Sequence, residues 1–174
     1  TASGKSTLWK RLVAHPGLDF SVSATTRPRR EGEVVGKDYY FLGAEEFSQL
    51  VKDGAFLEYA IVHGQSYGTL RAEVEKSLHA GRDILLEIDV QGAEQLADCG
   101  LPMISIFVQP PSLEVLRQRL VARGTEDEKE RERRLAIVAE EMKSAPFYDF
   151  VVINDDLDRM VQEVESILGL EVSA

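Results

Sequence analysis

The sequence predicts an α/β fold in which helices flank a parallel β-sheet. Three short and nearly continuous apolar runs are typical of strands that are covered on both faces; they lie at 83–88, 103–108 and 150–153. Helical patterns alternate with these runs, at 92–98, 113–123, 126–144 and 157–168. Strands that alternate with helices favour parallel pairing, because a helical crossover returns the chain to the end of the sheet at which the previous strand began.

The chain begins Thr1-Ala2-Ser3-Gly4-Lys5-Ser6-Thr7, the second half of the P-loop pattern Gly-x-x-x-x-Gly-Lys-Ser/Thr. The first glycine of that pattern and the strand that feeds it would precede Thr1, so we expect the chain to be truncated there and its nucleotide cradle to be incomplete. Gly4 lets backbone N–H groups approach phosphate oxygens, Lys5 can reach the β- and γ-phosphates, and the Ser6 hydroxyl can bind Mg²⁺. An ordinary Ser-Gly turn before a helix is the alternative.

The first half of the chain is less regular than the second. A helix at 8–14, a strand at 20–24 and a charged loop at 27–37 are followed by a region with antiparallel character at about 38–68. That region contains predicted strands at 38–42 and 56–62, a helix at 44–52 and a turn at 64–65, and a helix at 70–79 follows it. We interpret the irregular region as a mixed-β lobe inserted into the parallel core. Ser112 and either Asp155 or Asp156 are the expected N-caps of later helices.

Composition narrows the classes of function. The chain has 174 residues, is 44% hydrophobic and carries a net charge of −10, which argues against binding to a nucleic acid polymer. Cys99 is the single cysteine, so the chain forms no internal disulfide, and we expect it to be half-buried or buried and the protein to be cytoplasmic. No apolar run is long enough to cross a membrane. We expect a monomer or weak dimer, with His15, His63 and His79 at the surface or in loops and no zinc site.

The segment 23–33 concentrates positive charge, with Arg27, Arg29 and Arg30 in four positions beside Pro28. Guanidinium groups bind phosphate oxygens through paired hydrogen bonds, and proline stiffens the loop that carries them. A solvated basic loop is the alternative.

Several ordered motifs together resemble the guanylate kinase family over nearly the whole chain. They are the half P-loop, Ser-x-Thr-Thr-Arg-x-x-Arg at 23–30, Gly-Lys-Asp-Tyr-Tyr-Phe at 36–41, Phe-Leu-Glu-Tyr-Ala at 56–60, Tyr-Gly-Thr at 67–69, Glu-Ile-Asp-Val-Gln-Gly-Ala at 87–93, Pro-Pro-Ser at 110–112, Arg-Leu-x-x-Arg-Gly-Thr at 119–125, Arg-Arg-Leu at 133–135 and Asn-Asp-Asp-Leu at 154–157. Each motif is weak alone, but their order and spacing make coincidence improbable.

The resemblance implies transfer of the ATP γ-phosphoryl group to GMP, with Mg²⁺ as cofactor. It assigns the GMP phosphate to Arg27, Arg30, Tyr39 and Tyr67, and the guanine base to Ser23, Glu58 and Thr69. Gly68 is also counted among the GMP-binding residues. A carboxylate opposite the guanine N1–H and 2-amino groups accepts two hydrogen bonds that adenine cannot offer. Glu58 as a plain exposed strand residue is the alternative for that position.

The resemblance also assigns the ATP side of the reaction. Residues Thr1, Ala2, Ser3, Gly4, Lys5, Ser6, Thr7 and Asn154 would bind ATP, and Lys5, Arg123, Arg133 and Arg134 would stabilise the transferring phosphoryl group. Asp89 would position GMP and support the Mg²⁺ bound at Ser6 through water, or else only cap the helix that follows it. Glu87 stands where the family commonly carries aspartate, and its role stays open.

The resemblance further divides the single domain into three parts. They are a core at about 1–30, 82–123 and 145–174, a GMP-binding lobe at about 31–81, and a mobile lid at about 124–144. Two alternatives to an active enzyme remain, a guanylate-kinase-like module that binds a protein partner and a related P-loop kinase acting on a phosphorylated sugar. The retained Lys5, Arg27 and Arg30 disfavour the first, and Glu58 with Tyr67-Gly68-Thr69 disfavours the second.

Overall fold

The computed structural model describes residues 5–62, 64–97, 99–123 and 127–170, apart from the side chains of Ser6 and Arg123. Its helices are α1 (Lys5–Leu12), α2 (Ala44–Lys52), α3 (Arg71–His79), α4 (Val90–Ala97), α5 (Leu113–Arg123), α6 (Glu128–Glu141) and α7 (Leu157–Leu168), with a 3₁₀ helix at Met142–Phe147. Its strands are β1 (Leu18–Phe20), β2 (Ala24–Thr25), β3 (Tyr40–Phe41), β4 (Phe56–Val62), β5 (Gln65–Leu70), β6 (Asp83–Leu85), β7 (Ile106–Gln109) and β8 (Phe150–Ile153). The predicted α/β class is confirmed.

The chain forms two compact units. One contains the chain up to His15 together with the chain from Pro102 onward, and the other is the continuous stretch Pro16–Leu101. The predicted division into core, GMP-binding lobe and lid stays a prediction.

The discontinuous unit is built on one pair of parallel strands. β7 pairs with β8 in register from Ile106 opposite Phe150 to Gln109 opposite Ile153. α1 packs against α7, and α5 packs against α6 around a cluster of buried apolar side chains, Leu116, Leu120, Leu135 and Val138. This unit therefore contains two pairs of packed helices and a two-stranded parallel sheet, in which β7 is followed by α5 and β8 by α7.

The two predicted N-caps in this unit are confirmed. The backbone N–H of Val115 donates to the Ser112 hydroxyl at 3.2 Å, and the backbone N–H of Arg159 donates to Asp156 Oδ1 at 2.9 Å. Asp156, rather than Asp155, is thus the N-cap of α7.

The continuous unit contains two sheets. β1 and β6 pair in parallel, whereas β3, β2, β5 and β4 form a mixed sheet in that order. In the mixed sheet β2 runs parallel to β3, and β5 runs antiparallel to both β2 and β4. Ala24, Phe47 and Phe56 are buried together against this sheet and α2. The mixed-β character predicted for the irregular region is therefore confirmed.

Strand bounds in this unit differ from the prediction in four places. The strand expected at 38–42 is shorter, because β3 contains only Tyr40–Phe41. The strand expected at 20–24 is two strands, because β1 ends at Phe20 and β2 begins at Ala24 in a different sheet. The run at 83–88 pairs only as far as Leu85, where the register with Phe20 ends. Residues 65–70 form β5, although they show no apolar alternation, because Gly64 at φ +76° turns the chain so that Gln65 pairs with Val62.

His15 lies in the loop that follows α1, which is one of the two settings predicted for it, but its side chain is not at the surface. Its side chain is only 9% exposed, and its Nε2 lies 2.7 Å from Oε1 of the equally buried Glu165 on α7. Burial of an imidazole is tolerated here because its polar nitrogen has a partner. His79 is exposed as expected, and His63 lies outside the described residues.

Cys99 is half-buried, as expected. Within the described ranges, no helix is both long enough and apolar enough to cross a membrane, and no cluster of three or more metal-binding side chains is found.

Candidate active site

The guanidinium of Arg27 is the centre of a cluster of charged and aromatic side chains in the continuous unit. Arg27 follows β2, and its backbone N–H donates to the Thr25 hydroxyl at 3.1 Å, which fixes the start of the loop. Its Nη2 donates to Glu33 Oε1 at 2.7 Å and its Nη1 donates to Glu33 Oε2 at 3.1 Å. This paired geometry is the one that guanidinium groups also adopt with phosphate.

Three aromatic rings surround the same guanidinium. The Arg27 Cζ lies 5.3 Å from the ring centroid of Tyr39 and 5.7 Å from that of Phe41. Tyr39 and Tyr67 meet edge to face with centroids 5.9 Å apart. The structure thus brings together three of the four residues predicted to hold a phosphate, with two phenolic hydroxyls beside one cation.

The electrostatics of this cluster follow from its burial and its charges. Hydrogen bonding to Glu33 is the main cause that raises the pKa of Arg27, and a hydrogen bond with Tyr67 contributes. Burial is the main cause that raises the pKa of Tyr39, and the negative charge of Glu87 adds to it. The raised pKa keeps the Tyr39 hydroxyl protonated at neutral pH, so it can donate a hydrogen bond, as an anion-binding site requires.

Arg30 is joined to the cluster by its backbone and not by a described side-chain bond. Its N–H donates to Glu33 Oε2 at 2.7 Å, while its side chain is exposed. Ser23 is half-buried, and its carbonyl accepts the N–H of Tyr40 at 2.9 Å, which pins β2 to β3.

Glu58 is a buried carboxylate and not an exposed strand residue. Its side chain on β4 is only 5% exposed, and the hydroxyl of Thr69, 1% exposed, donates to its Oε1 at 2.5 Å. Burial raises the pKa of Glu58, the hydrogen bond from Thr69 opposes this effect, and the negative charge of Asp89 adds to it. A buried carboxylate with one fixed oxygen can present its other oxygen to paired N–H donors.

Two glycines make room for this carboxylate and its strand. A methyl group on Gly92 of α4 would lie 2.4 Å from Glu58 Oε2, so the helix can approach the carboxylate only at a residue without a side chain. A methyl group on Gly68 would lie 2.8 Å from the ring of Phe56, so this predicted site residue serves the packing of β5 against β4.

Asp89 is the N-cap of α4, as one of its two predicted roles required. The N–H of Gly92 donates to Asp89 Oδ1 at 2.9 Å, and Gln91 Nε2 lies 3.4 Å from Oδ2. Its carboxylate oxygens therefore remain close to the Glu58 pocket, as their effect on the pKa of Glu58 also indicates.

The predicted ATP-side residues lie in the discontinuous unit. Lys5 is half-buried and begins α1, and Thr7, two residues further, is exposed, whereas 1–4 and the side chain of Ser6 lie outside the described structure. Asn154 is 6% exposed, its N–H donates to the Gln109 carbonyl at 2.8 Å, and its own carbonyl accepts from Arg119 Nη2 at 2.9 Å. Asn154 is thus firmly held where β8 ends.

The predicted lid arginines lie on α5 and α6. Arg134 is partly buried, with its Nε 3.4 Å from Glu130 Oε1, and Arg133 is 60% exposed, with its Nη1 3.7 Å from Glu130 Oε2. The side chain of Arg123 is outside the described structure. Arg133 and Arg134 lie on α6. This helix begins at Glu128 after its N-cap Asp127 and ends at Glu141 rather than at the predicted 144.

Sequence reasoning missed Glu33, Phe41 and Gly92 as members of these clusters. A carboxylate six residues from an arginine in a loop has no fixed direction, so spacing alone does not pair Glu33 with Arg27. Phe41 of β3 stands two residues after Tyr39, which precedes that strand, and period-two alternation could have placed both rings on one face.

The alternation of helices with parallel strands, and a helix that begins at a P-loop lysine, define the P-loop class of α/β nucleotide-binding proteins. The family model of guanylate kinase matches residues 1–171, and the chain belongs to that family.

The chain is similar in sequence to known guanylate kinases over most of their length. The chain is 46% identical over 172 residues to the guanylate kinase of Symbiobacterium thermophilum and 44% identical over 172 residues to that of Coxiella burnetii, covering 98% of this chain in each case and 82% and 84% of the relatives. The crystal structure of guanylate kinase from Anaplasma phagocytophilum superposes with a TM-score of 0.81 at 36% identity, over 94% of this chain and 80% of that one.

Proposed function

We propose that this protein catalyses transfer of the γ-phosphoryl group of ATP to GMP, giving ADP and GDP. One observation carries the proposal beyond family membership. The mixed sheet presents an arginine–tyrosine cluster suited to a phosphate and a buried carboxylate suited to guanine on neighbouring residues of β5, because Thr25 pairs with Tyr67 and Glu58 pairs with Thr69.

In this proposal the GMP phosphate binds Arg27, Arg30, Tyr39 and Tyr67, and the base binds Glu58, Ser23 and Thr69. Two cations and two phenolic donors match one phosphate dianion. Glu58 discriminates between purines because its carboxylate only accepts hydrogen bonds when ionised, and guanine offers two N–H donors to it. Asp89 holds the first turn of α4 in place below the carboxylate.

Transfer forms a bond between an oxygen of the GMP phosphate and the γ-phosphorus, while the bond from that phosphorus to the oxygen bridging to the β-phosphate breaks. No protein base is needed, since the GMP phosphate is already an anionic nucleophile at neutral pH. The difficulty is to align two anions, so cationic side chains are the main catalytic groups. We assign this role to Lys5, Arg123, Arg133 and Arg134, and ATP binding to residues 1–7 and Asn154.

The donor chemistry fits Mg²⁺. This ion prefers hard oxygen ligands and keeps several waters, and the proposal gives it the hydroxyl of Ser6 and, through water, the carboxylate of Asp89. When bound, Mg²⁺ supplies positive charge to the β- and γ-phosphates. We also propose that the protein is cytoplasmic and acts as a monomer or weak dimer.

A coupled assay of ADP release tests the function. With ATP and Mg²⁺, turnover is expected with GMP and at least about a hundredfold lower kcat/KM with AMP, CMP or UMP, because each lacks the donor pair that Glu58 accepts. Comparable turnover of AMP would contradict the guanine assignment. Absence of turnover with every monophosphate, combined with GMP binding, would identify a binding module instead of an enzyme.

The raised pKa of Glu58 predicts a pH dependence of GMP binding. As the pH falls through that pKa, the carboxylate takes up a proton, exchanges an acceptor for a donor and loses GMP affinity. Calorimetric titration of GMP at successively lower pH is expected to show this loss beginning above the pH at which an ordinary glutamate takes up its proton.

Protein stability should depend on the same group with the opposite sign. The stability linked to protonation of Glu58 is fully present below its unfolded pKa and is lost as the pH rises through its raised folded pKa. A Glu58→Gln variant removes both effects, so an unchanged pH profile of GMP binding by that variant would argue against Glu58 as the titrating group.

Gly92→Ala is expected to separate GMP binding from stability. Alanine favours a helix interior over glycine by about 1 kcal/mol, but its methyl group would displace the Glu58 carboxylate from 2.4 Å away. We therefore expect about tenfold weaker GMP binding with ATP binding unchanged. The control is Ala97→Gly, which changes the helix propensity of α4 without adding a methyl group near Glu58. Gly100→Ala is unsuitable as a control because Gly100 has φ +74°, a conformation that alanine rarely adopts. Unchanged GMP affinity in Gly92→Ala would show that the carboxylate has room to move.

A further inference from the structure

Glu33 connects the two arginines of the phosphate cluster. Its two carboxylate oxygens accept from Nη1 and Nη2 of Arg27 at 3.1 and 2.7 Å. Its Oε2 also accepts the backbone N–H of Arg30 at 2.7 Å. One side chain thus orients the guanidinium of one arginine and the main chain of the other, which no prediction from the sequence assigned to it.

The pair is shielded from solvent although it belongs to a surface loop. The side chains of Arg27 and Glu33 are 13% and 19% exposed, and Tyr39 and Phe41 cover the guanidinium. Hydrogen bonding to Arg27 holds the pKa of Glu33 below its usual range, so the carboxylate is ionised at neutral pH. Partial burial makes this contact stronger than an exposed ion pair, which contributes little.

The hydrogen bonds leave part of the guanidinium for another anion. Both hydrogens of Nη1 are used, one by Glu33 and one by the Pro28 carbonyl at 2.8 Å, and Nη2 gives one hydrogen to Glu33. The second hydrogen of Nη2 and the Nε–H take no part in these three bonds, and the Arg27 side chain is also hydrogen-bonded to Tyr67, the other phenol of the proposed phosphate site. An arginine fixed by one edge loses its rotamer freedom before a ligand arrives, so less entropy is lost on binding.

We propose that Glu33 is a positioning residue for the phosphate end of the GMP site, holding the Arg27 side chain and the Arg30 backbone in the arrangement that a phosphate monoester requires. This inference rests on the proposed function. In the alternative hypothesis, the Glu33 carboxylate only repels the phosphate of GMP or competes with it for Arg27. The two hypotheses predict opposite changes in GMP affinity when Glu33 is replaced.

The test compares Glu33→Gln with Glu31→Gln. Both variants remove one negative charge from the same loop, so the long-range attraction of the phosphate changes equally in both. Glu31 is the control because its side chain is exposed. Glutamine keeps the size of glutamate and places an amide donor against the Arg27 fork. GMP and guanosine are titrated calorimetrically, KM and kcat are measured for GMP and ATP, and thermal unfolding checks the fold.

For Glu33→Gln we expect GMP binding about tenfold weaker than in Glu31→Gln, guanosine binding within about twofold, and an unchanged KM for ATP. A merely structural role would weaken guanosine and GMP alike. Tighter GMP binding, or equal behaviour of the two variants in an enzyme that turns over GMP, overturns this inference alone. A wild-type protein that phosphorylates no nucleoside monophosphate overturns the proposed function instead.

Discussion

Replacing Glu58 with glutamine is expected to lower kcat/KM for GMP by about a hundredfold or more and to leave the folded structure intact. The amide keeps an oxygen for the hydroxyl of Thr69, which donates at 2.5 Å. On the other side, however, an amide nitrogen replaces the oxygen that faces the N–H donors of guanine, so the hydrogen bonds to that oxygen are lost and N–H groups face each other. The kinetic constants come from the coupled assay with GMP varied at saturating ATP.

The Glu58→Gln substitution should leave the stability of the folded protein unchanged or raise it, although it lowers activity. Burial penalises the charged form of Glu58, as its raised pKa indicates, and a neutral amide avoids that penalty. We expect the midpoint of thermal unfolding to be unchanged or higher. Glu94→Gln, an exposed position on α4, is the matched control and should alter neither property. If both variants kept full kcat/KM for GMP, Glu58 would not contact the base.

Arg27→Ala is expected to reduce kcat/KM for GMP by about a hundredfold to a thousandfold and to leave the KM for ATP within about threefold. Two losses combine in this variant. The guanidinium no longer binds the phosphate, and the Glu33 carboxylate, which it pairs at 2.7 Å, is left unneutralised beside an incoming dianion. Arg29→Ala is the control because Arg29 is an exposed cation of the same loop.

A double variant separates these two losses. Where Arg27 is intact, Glu33→Gln is expected to weaken GMP binding, but in the Arg27→Ala background the same change should strengthen it, because only repulsion between two anions remains to be removed. The double-mutant cycle measures this reversal of sign as a coupling energy. Additive effects of the two substitutions would mean that Arg27 and Glu33 do not act together on the phosphate.

Local patterns in the sequence predicted those parts of the fold that local interactions determine. α7 and β8 lie at their predicted bounds, since a strong apolar periodicity and the N-cap Asp156 define them. β5 was missed because most of its residues are polar or small and show no apolar alternation, so only pairing with β4 across the turn at Gly64 makes them a strand.

The candidate site shows the same limit. Motifs identified Arg27, Tyr39, Glu58 and Thr69, because each belongs to a short pattern with a recognisable chemistry. The bonds that these residues make were not predictable. Glu58 reads as an exposed strand residue until Thr69, 11 positions later, and Gly92 of α4 enclose its carboxylate. Burial depends on such non-local neighbours, and a single sequence does not specify them.

The buried bond between His15 and Glu165 has a consequence for the order in which the protein is made. Its partners are 150 residues apart, and α1 is joined to α7 a second time by the ion pair of Arg11 with Asp158. Pro16–Leu101 is continuous and holds its own buried cluster, so it can fold while the ribosome is still at work. The first helix, by contrast, is synthesised early and must wait for nearly the whole chain before its packing partner exists.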